Sequence, residues 1–226
     1  SGLVNAMPPD KLNESREQLS QGRERRRFSP EELDAIHRGY TEELEGKWRR
    51  GSEIRYWDDV KIGDELHPIS FGPYDVHDAA AYLGNLGYAS AHAVKWGRMR
   101  NDMARLPVNP ETGERHHVVD LRLSDAVAQA TIGGSSYAQT FGLGLECSLG
   151  HCITNWMGDD GFLKQINTRV NDFGYHGEIF TAAGSVTGKR IEDGESLIDL
   201  QLTMITHNGH VLFESEAVVR LRSRAR

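Results

Sequence analysis

Residues 141–158, FGLGLECSLGHCITNWMG, are apolar on nearly every side of a helical wheel. A helix of that kind has no face to give to water and must be enclosed by the rest of the fold. Gly142, Gly144 and Gly150 lie within it, although helix propensity disfavours glycine. They are expected where a neighbouring backbone comes close. Four strand-like runs follow, 162–173, 178–189, 196–206 and 210–222, joined by YHGE, EDGE and HNG, each with a glycine. Asn208-Gly209 is a hairpin signal. In the third run Asp199, Gln201 and Thr203 alternate with Ile198, Leu200, Leu202 and Met204, the period of a strand with one buried face. A buried helix ahead of a meander of antiparallel strands makes the chain α+β.

The first half is less regular. Residues 1–27 are polar and lack apolar periodicity. Ser29-Pro30-Glu31-Glu32 then starts a helix, with Ser29 as cap, Pro30 in the first turn and Glu32 closing a capping box. Leu33, Ile36, Tyr40, Leu44 and Trp48 form one apolar stripe, and Gly51 is expected to end the helix. A flexible start and helical arm over 1–50 thus precede a single domain over 51–226. Leu66, Ile69 and Phe71 predict a strand ending at Gly72-Pro73. A helix follows near Val76, capped by Asp75, with Ala79, Ala80, Leu83 and Leu86 inward. Residues 87–136 are irregular, and long irregular stretches inside a domain are more often functional than decorative.

Composition excludes several classes. The net charge of −7 argues against duplex nucleic acid as the main partner. The basic run from Arg23 to Arg27 lacks interleaved aromatics and reads as a solvated arm. No apolar run approaches the roughly 20 residues of a membrane span. The start lacks a basic-then-apolar secretory pattern, so a cytoplasmic location is expected. Cys147 and Cys152 sit on one helix with their side chains pointing apart, a poor geometry for a disulfide.

Several stretches in this order carry a resemblance: RYWDDVKIGDEL, FGPYDVHD, NWMGDDGFL, YHGEIFTAAGSVTGKR and HNGHVLFESEAVVRL. From about Phe28 to Leu221 the chain resembles the MaoC-like acyl dehydratases. The resemblance implies a hot-dog fold, an antiparallel sheet wrapped around a central helix, in a homodimer. It also implies reversible hydration of a 2-enoyl thioester, with coenzyme A as part of the substrate and no cofactor or metal. Two alternatives stay open: a non-catalytic hot-dog subunit that binds acyl-CoA or pairs with a catalytic partner, and an acyl-CoA thioesterase.

Hydration needs a base for the attacking water, a proton for the α-carbon and donors for the thioester oxygen. The stretch RHHVVDLRLSD, residues 115–125, gathers suitable groups. In the family this sequence resembles, an Asp is followed by Asn-Pro, a His, a second Asp and a closing Ala. Placing that alanine on Ala128 puts the histidine position on Arg122 and the first aspartate position on His117, so the signature is altered. Asn109-Pro110 comes too early to repair it. The catalytic candidates are His117 with Asp120 as an oriented base, Asp125 as a carboxylate, and Tyr137 as an acid or hydrogen-bond donor. Arg122 is expected to hold an anionic substrate group. Gly142 and Gly144 open the buried helix, where backbone N–H groups suit an oxyanion, or they serve packing alone. His151 is expected to be a satisfied core histidine or to line a cavity. A zinc site with Cys147 lacks a second ligand pair. His92, Arg98 and Arg100 fit the phosphates of a carrier and helical surface charge equally well, whereas the Asp159-Asp160 pair reads as a turn and Lys189-Arg190 as a solvated strand end.

Overall fold

The computed structural model describes residues 23, 25–85, 93–99, 101, 103, 106, 108–110, 112–116, 120, 122–132, 137, 138, 140 and 142–225. The chain divides into two compact units. A sheet unit comprises Arg26–Pro73, Gly142–Asp172 and Glu178–Arg226, and a second unit comprises Ser1–Arg25, Tyr74–Phe141 and Phe173–Gly177.

In the sheet unit, helix α1 (Pro30–Leu44) precedes strand β1 (Glu65–Phe71). The enclosed helix is numbered α5 (Gly142–Met157), and β2 (Phe162–Val170), β3 (Phe180–Glu192), β4 (Glu195–Thr206) and β5 (Val211–Arg220) follow it. The sheet order is β1-β3-β4-β5-β2, and every neighbouring pair is antiparallel. Leu145, Leu149 and Ile153 of α5 are fully buried, as are Phe180, Leu200, Leu202 and Met204 of the sheet. Each such side chain contributes roughly 1.5–3 kcal/mol by leaving water. A sheet laid against one buried helix is the hot-dog arrangement. Among the described residues no helix is long and apolar enough to cross a membrane.

The strand expectations hold to within a few residues, and β4 alternates buried and half-buried residues over most of its length. The turn between β3 and β4 uses Asp193 (φ 48°) and Gly194 (φ 80°), both left-handed, which fits a two-residue hairpin. The order differs from a simple meander. β3, β4 and β5 are consecutive, but β2 lies at the far edge beside β5 and never touches β3. Hydrophobic alternation sets which face of a strand is buried and says nothing about which strand is its neighbour.

Helix α1 has the expected capping box: Glu32 N–H donates to Ser29 Oγ at 3.3 Å, and Ser29 N–H to a Glu32 carboxylate oxygen at 2.8 Å. It ends at Leu44, well before Gly51, because Gly46 takes a left-handed φ of 73° just past the Glu45 cap. Its apolar stripe is correspondingly short. Ile36 and the half-buried Leu33 pack with Phe28 and Ile179, whereas Leu44 is 89% exposed. Trp48 lies beyond the helix, stacked on the His67 ring at 4.6 Å.

The glycine expectation for α5 is not met at Gly142 and Gly150. Among the described residues nothing lies within 4 Å of a Cβ built on Gly142 or Gly150. The close approach is in β3, where a Cβ on Gly184 would stand 2.8 Å from the Gln201 carbonyl oxygen.

The second unit contains α2 (Val76–Asn85), α3 (Ala93–Met99) and α4 (Asp125–Ile132). Asp75 caps α2 as expected, its Oδ1 accepting the His77 N–H at 2.7 Å. Ala79 is fully buried, but Ala80 is exposed, and the side chains of Leu83 and Leu86 lie outside the described residues. Residues 173–177 are tied in by backbone bonds: Thr140 N–H to Gly174 O at 2.8 Å, His176 N–H to Ala138 O at 2.9 Å, and Gly177 N–H to Tyr74 O at 2.7 Å.

Candidate functional site

Asp125 is the first residue of α4, and its carboxylate is the hub of a polar cluster in the second unit. The Arg25 guanidinium grips it through two hydrogen bonds, at 2.6 and 2.8 Å. Ala138 N–H donates to Oδ1 at 2.7 Å. Burial pushes the Asp125 carboxyl up, but the bonds from Arg25 and Ala138 outweigh it and hold the group below its ordinary range. Asp125 is therefore an ionised anchor at neutral pH.

Arg25 reaches three further groups. Its Nε–H donates to the His176 carbonyl at 2.9 Å, and its guanidinium lies 4.4 Å from the centre of the Tyr137 ring. Its backbone N–H donates to the Tyr137 hydroxyl at 3.4 Å. Gly177 makes this course possible. It has φ +90°, and a Cβ there would lie 2.8 Å from Arg25 Cγ.

His176 is 7% exposed. Its Nε2 is buried with no hydrogen-bond partner among the described residues. A hydrogen bond to the Arg122 backbone engages the ring on its other side. The ring meets Tyr74 edge-on at 5.4 Å. Burial lowers the His176 pKa first and the nearby Arg25 charge lowers it further, against opposing contributions from Asp125 and the Arg122 bond. The imidazole is held neutral, with Nδ1 as the donor and Nε2 left as an acceptor. Buried polar atoms are nearly always paired, so an orphaned acceptor is the most informative atom in the unit.

The sequence-derived candidates are distributed unevenly. His117 lies outside the described residues. Its neighbour His116 pairs with Asp120, with Nδ1 2.9 Å from that carboxylate and Nε2 3.3 Å from the Asn109 amide nitrogen. Both ring nitrogens of His116 are thus engaged, linking Asn109 to Asp120. Asp125, Tyr137 and the Arg122 backbone do converge, around Arg25 and His176. Gly142 and Gly144 open α5 in the sheet unit. His151, also on α5, is exposed and paired with Glu43 of α1, which also accepts from Asn155 at 3.0 Å.

The remaining groups have structural partners or open positions. Lys189 donates to Val60 O at 2.6 Å, and Arg190 pairs with Asp199 and Glu192. Arg98, Asp159 and Asp160 are exposed, and His92 and Arg100 lie outside the described residues. Cys147 is exposed and Cys152 buried, both free, and burial pushes the Cys152 thiol up to about 12. Among the described residues no group of three or more His, Cys, Asp or Glu is placed to hold a metal ion.

Sequence reasoning missed Arg25 and His176. Arg25 sits in a run that reads as solvated charge, and His176 in a glycine-flanked link that reads as a turn. Neither stretch has a periodicity that marks it.

No family model matches the chain, and no curated protein matches it. Solved structures do. An (R)-hydratase from A. caviae involved in PHA biosynthesis aligns over 72% of this chain and 98% of its own at 16% identity, with a TM-score of 0.50. A MaoC-like dehydratase from Rhodospirillum rubrum aligns over 75% of this chain and 98% of its own at 11% identity and 0.51. Another MaoC-like dehydratase reaches 0.54 at 16% identity, over 76% of this chain and 44% of its own. At these identities the likeness is one of architecture: the chain has the hot-dog fold found in MaoC-like dehydratases and (R)-hydratases.

Proposed function

We propose that the protein catalyses reversible addition of water to a 2-enoyl thioester, with His176 as the proton carrier. The observation that supports this reading is the His176 ring itself, neutral, oriented by a backbone bond, and presenting an Nε2 with no partner among the described residues. A water bound at Nε2 gives up a proton to it as the oxygen bonds to the β-carbon. The carbon–carbon π electrons move toward the α-carbon and the thioester carbonyl. The imidazolium so formed is destabilised by burial and by Arg25, and it returns the proton to the α-carbon. Atoms and charge balance without a cofactor, coenzyme A entering only as part of the substrate. Asp125 remains ionised and orients Arg25, and the Tyr137 hydroxyl is the neighbouring donor. The family likeness of the sequence supports this choice of reaction, and a homodimer is the proposed assembly.

The test is loss of enoyl-thioester absorbance with short, long and aromatic 2-enoyl-CoA substrates. Turnover on any of them is the expected result. Silence across the panel sinks the proposal. One observation favours a second reading, a non-catalytic acyl-CoA-binding subunit: Asp120 and Asp125 are both tied by partners, to His116 and Arg25. That reading predicts that coenzyme A esters raise the melting temperature while no substrate is turned over.

A further inference from the structure

A cleft in the sheet unit lies between α1 and β1. Its volume is about 250 Å³. Ala35, Ile36, Pro68 and Ile69 give it apolar walls, and Trp48, stacked on His67, gives it an aromatic one. Two polar features of the lining point to a ligand. The Trp48 indole Nε1–H is buried without a hydrogen-bond partner among the described residues. Arg38, also on the lining, is exposed and takes part in no described hydrogen bond or salt bridge. The acids of the lining are occupied: Glu43 holds His151 and Asn155, and Glu42 lies 3.7 Å from Lys47.

An apolar wall, an indole donor without an acceptor among the described residues and a guanidinium free to form a fork together describe a ligand. It has an apolar body and an anionic head with acceptor oxygens. A carboxylate matches the fork of Arg38 and supplies the acceptor that Trp48 lacks. Size narrows the class, since benzene occupies a cavity of roughly 150 Å³ and this cleft is moderately larger. We propose that the cleft between α1 and β1 is a binding site for a small monocarboxylate with an apolar or aromatic body, held by Arg38 and by the Trp48 indole N–H. The site is separate from the hydration chemistry and stands or falls without it. Because Nε1 is closed off in the empty cleft, binding opens the Trp48–His67 stack by a small shift, and the indole resonance reports that shift.

The experiment uses the full ¹⁵N-labelled chain, with benzoate as probe and benzyl alcohol as its uncharged counterpart. Trp48→Phe, which keeps an aromatic ring, assigns the Trp48 indole signal. Benzoate is expected to move that signal downfield and saturably, while Trp57, whose indole already donates to Leu197 O at 3.0 Å, stays in place. Benzyl alcohol and the surface variant Arg38→Ala are each expected to weaken the response about tenfold, the scale of one charge-assisted hydrogen bond. A Trp48 signal unmoved by benzoate overturns the proposal. So does an equal response to benzyl alcohol or an unchanged response in Arg38→Ala. A shift that follows protein concentration without probe overturns it too, because a second copy then fills the cleft.

Discussion

His176 carries a buried acceptor with no partner among the described residues, and a fold leaves such an atom unsatisfied at a cost of about 1–3 kcal/mol unless something else uses it. His176→Gln removes the titrating ring while keeping a polar side chain. If the ring moves the proton, kcat/KM falls by about 10²–10⁴ with KM little changed. An unaltered kcat/KM would leave His176 with a packing role only. The acid limb of the pH–rate profile should lie below the ordinary histidine value near 6.5, since burial and Arg25 disfavour the imidazolium. Arg25 is the second residue to change. Its ion pair with Asp125 is a little over one-third exposed on each side, so screening reduces its worth. The bonds to His176 O and the contact with the Tyr137 ring remain to be lost as well. Arg25→Ala is therefore expected to cost about 1–2 kcal/mol in urea denaturation. It should also raise the Asp125 pKa, measurable by carbon NMR of the carboxyl group, because the bond holding that carboxyl down is gone.

Among the elements, the glycines of α5 and β3 make opposite predictions. Gly150 sits inside α5 with nothing near its missing Cβ among the described residues, so Gly150→Ala should stabilise the protein by about 0.5–1 kcal/mol. Gly184→Ala in β3 drives a methyl group against the Gln201 carbonyl of β4 and should cost about 1–3 kcal/mol. Thermal melts of the two variants should move in opposite directions, and a shift of both in the same direction contradicts this packing. The same pair shows what a sequence can reveal. The enclosed helix, the four later strands, the Asn208-Gly209 hairpin and the Ser29 cap all follow from local periodicity and turn chemistry. Each depends on neighbours a few residues away. The edge position of β2 and the glycine that a facing strand requires depend on partners far along the chain. Candidate-site residues divide the same way. Asp125 and Tyr137 stand out as polar groups in an irregular stretch, but Arg25, a hundred residues from its partner Asp125, becomes visible only after folding.

For the whole molecule, the chain passes repeatedly between the two units, so neither is a continuous piece of sequence. A single unfolding transition is expected, and its response to pH should combine groups from both. His176 belongs to one unit and His207 to the other, and both have lowered pKa values. At His207 burial is the largest cause, followed by the charge of Arg26. His207 Nδ1 also accepts the Ile179 N–H at 3.3 Å, a bond available only to the neutral ring. The unfolded chain binds these protons near the ordinary value of 6.5, whereas the folded chain binds them only at lower pH. Between those points the unfolded state holds more protons, so stability falls as pH drops through 6.5 and levels off below the folded values. The carboxylates behave separately. Asp125 is held below its ordinary value, and Glu32, bonded to Arg26, is lowered to about 2, so their contributions are lost only under stronger acid. Urea midpoints measured from pH 8 to pH 5 should therefore decline for the wild type before any carboxylate titrates. His207→Gln cannot titrate, yet its amide oxygen can still accept the Ile179 N–H. It should make that first decline shallower, leaving the His176 share, and leave the carboxylate limb in place. A decline as steep in His207→Gln as in the wild type would show that the His207 ring is not kept neutral by the fold.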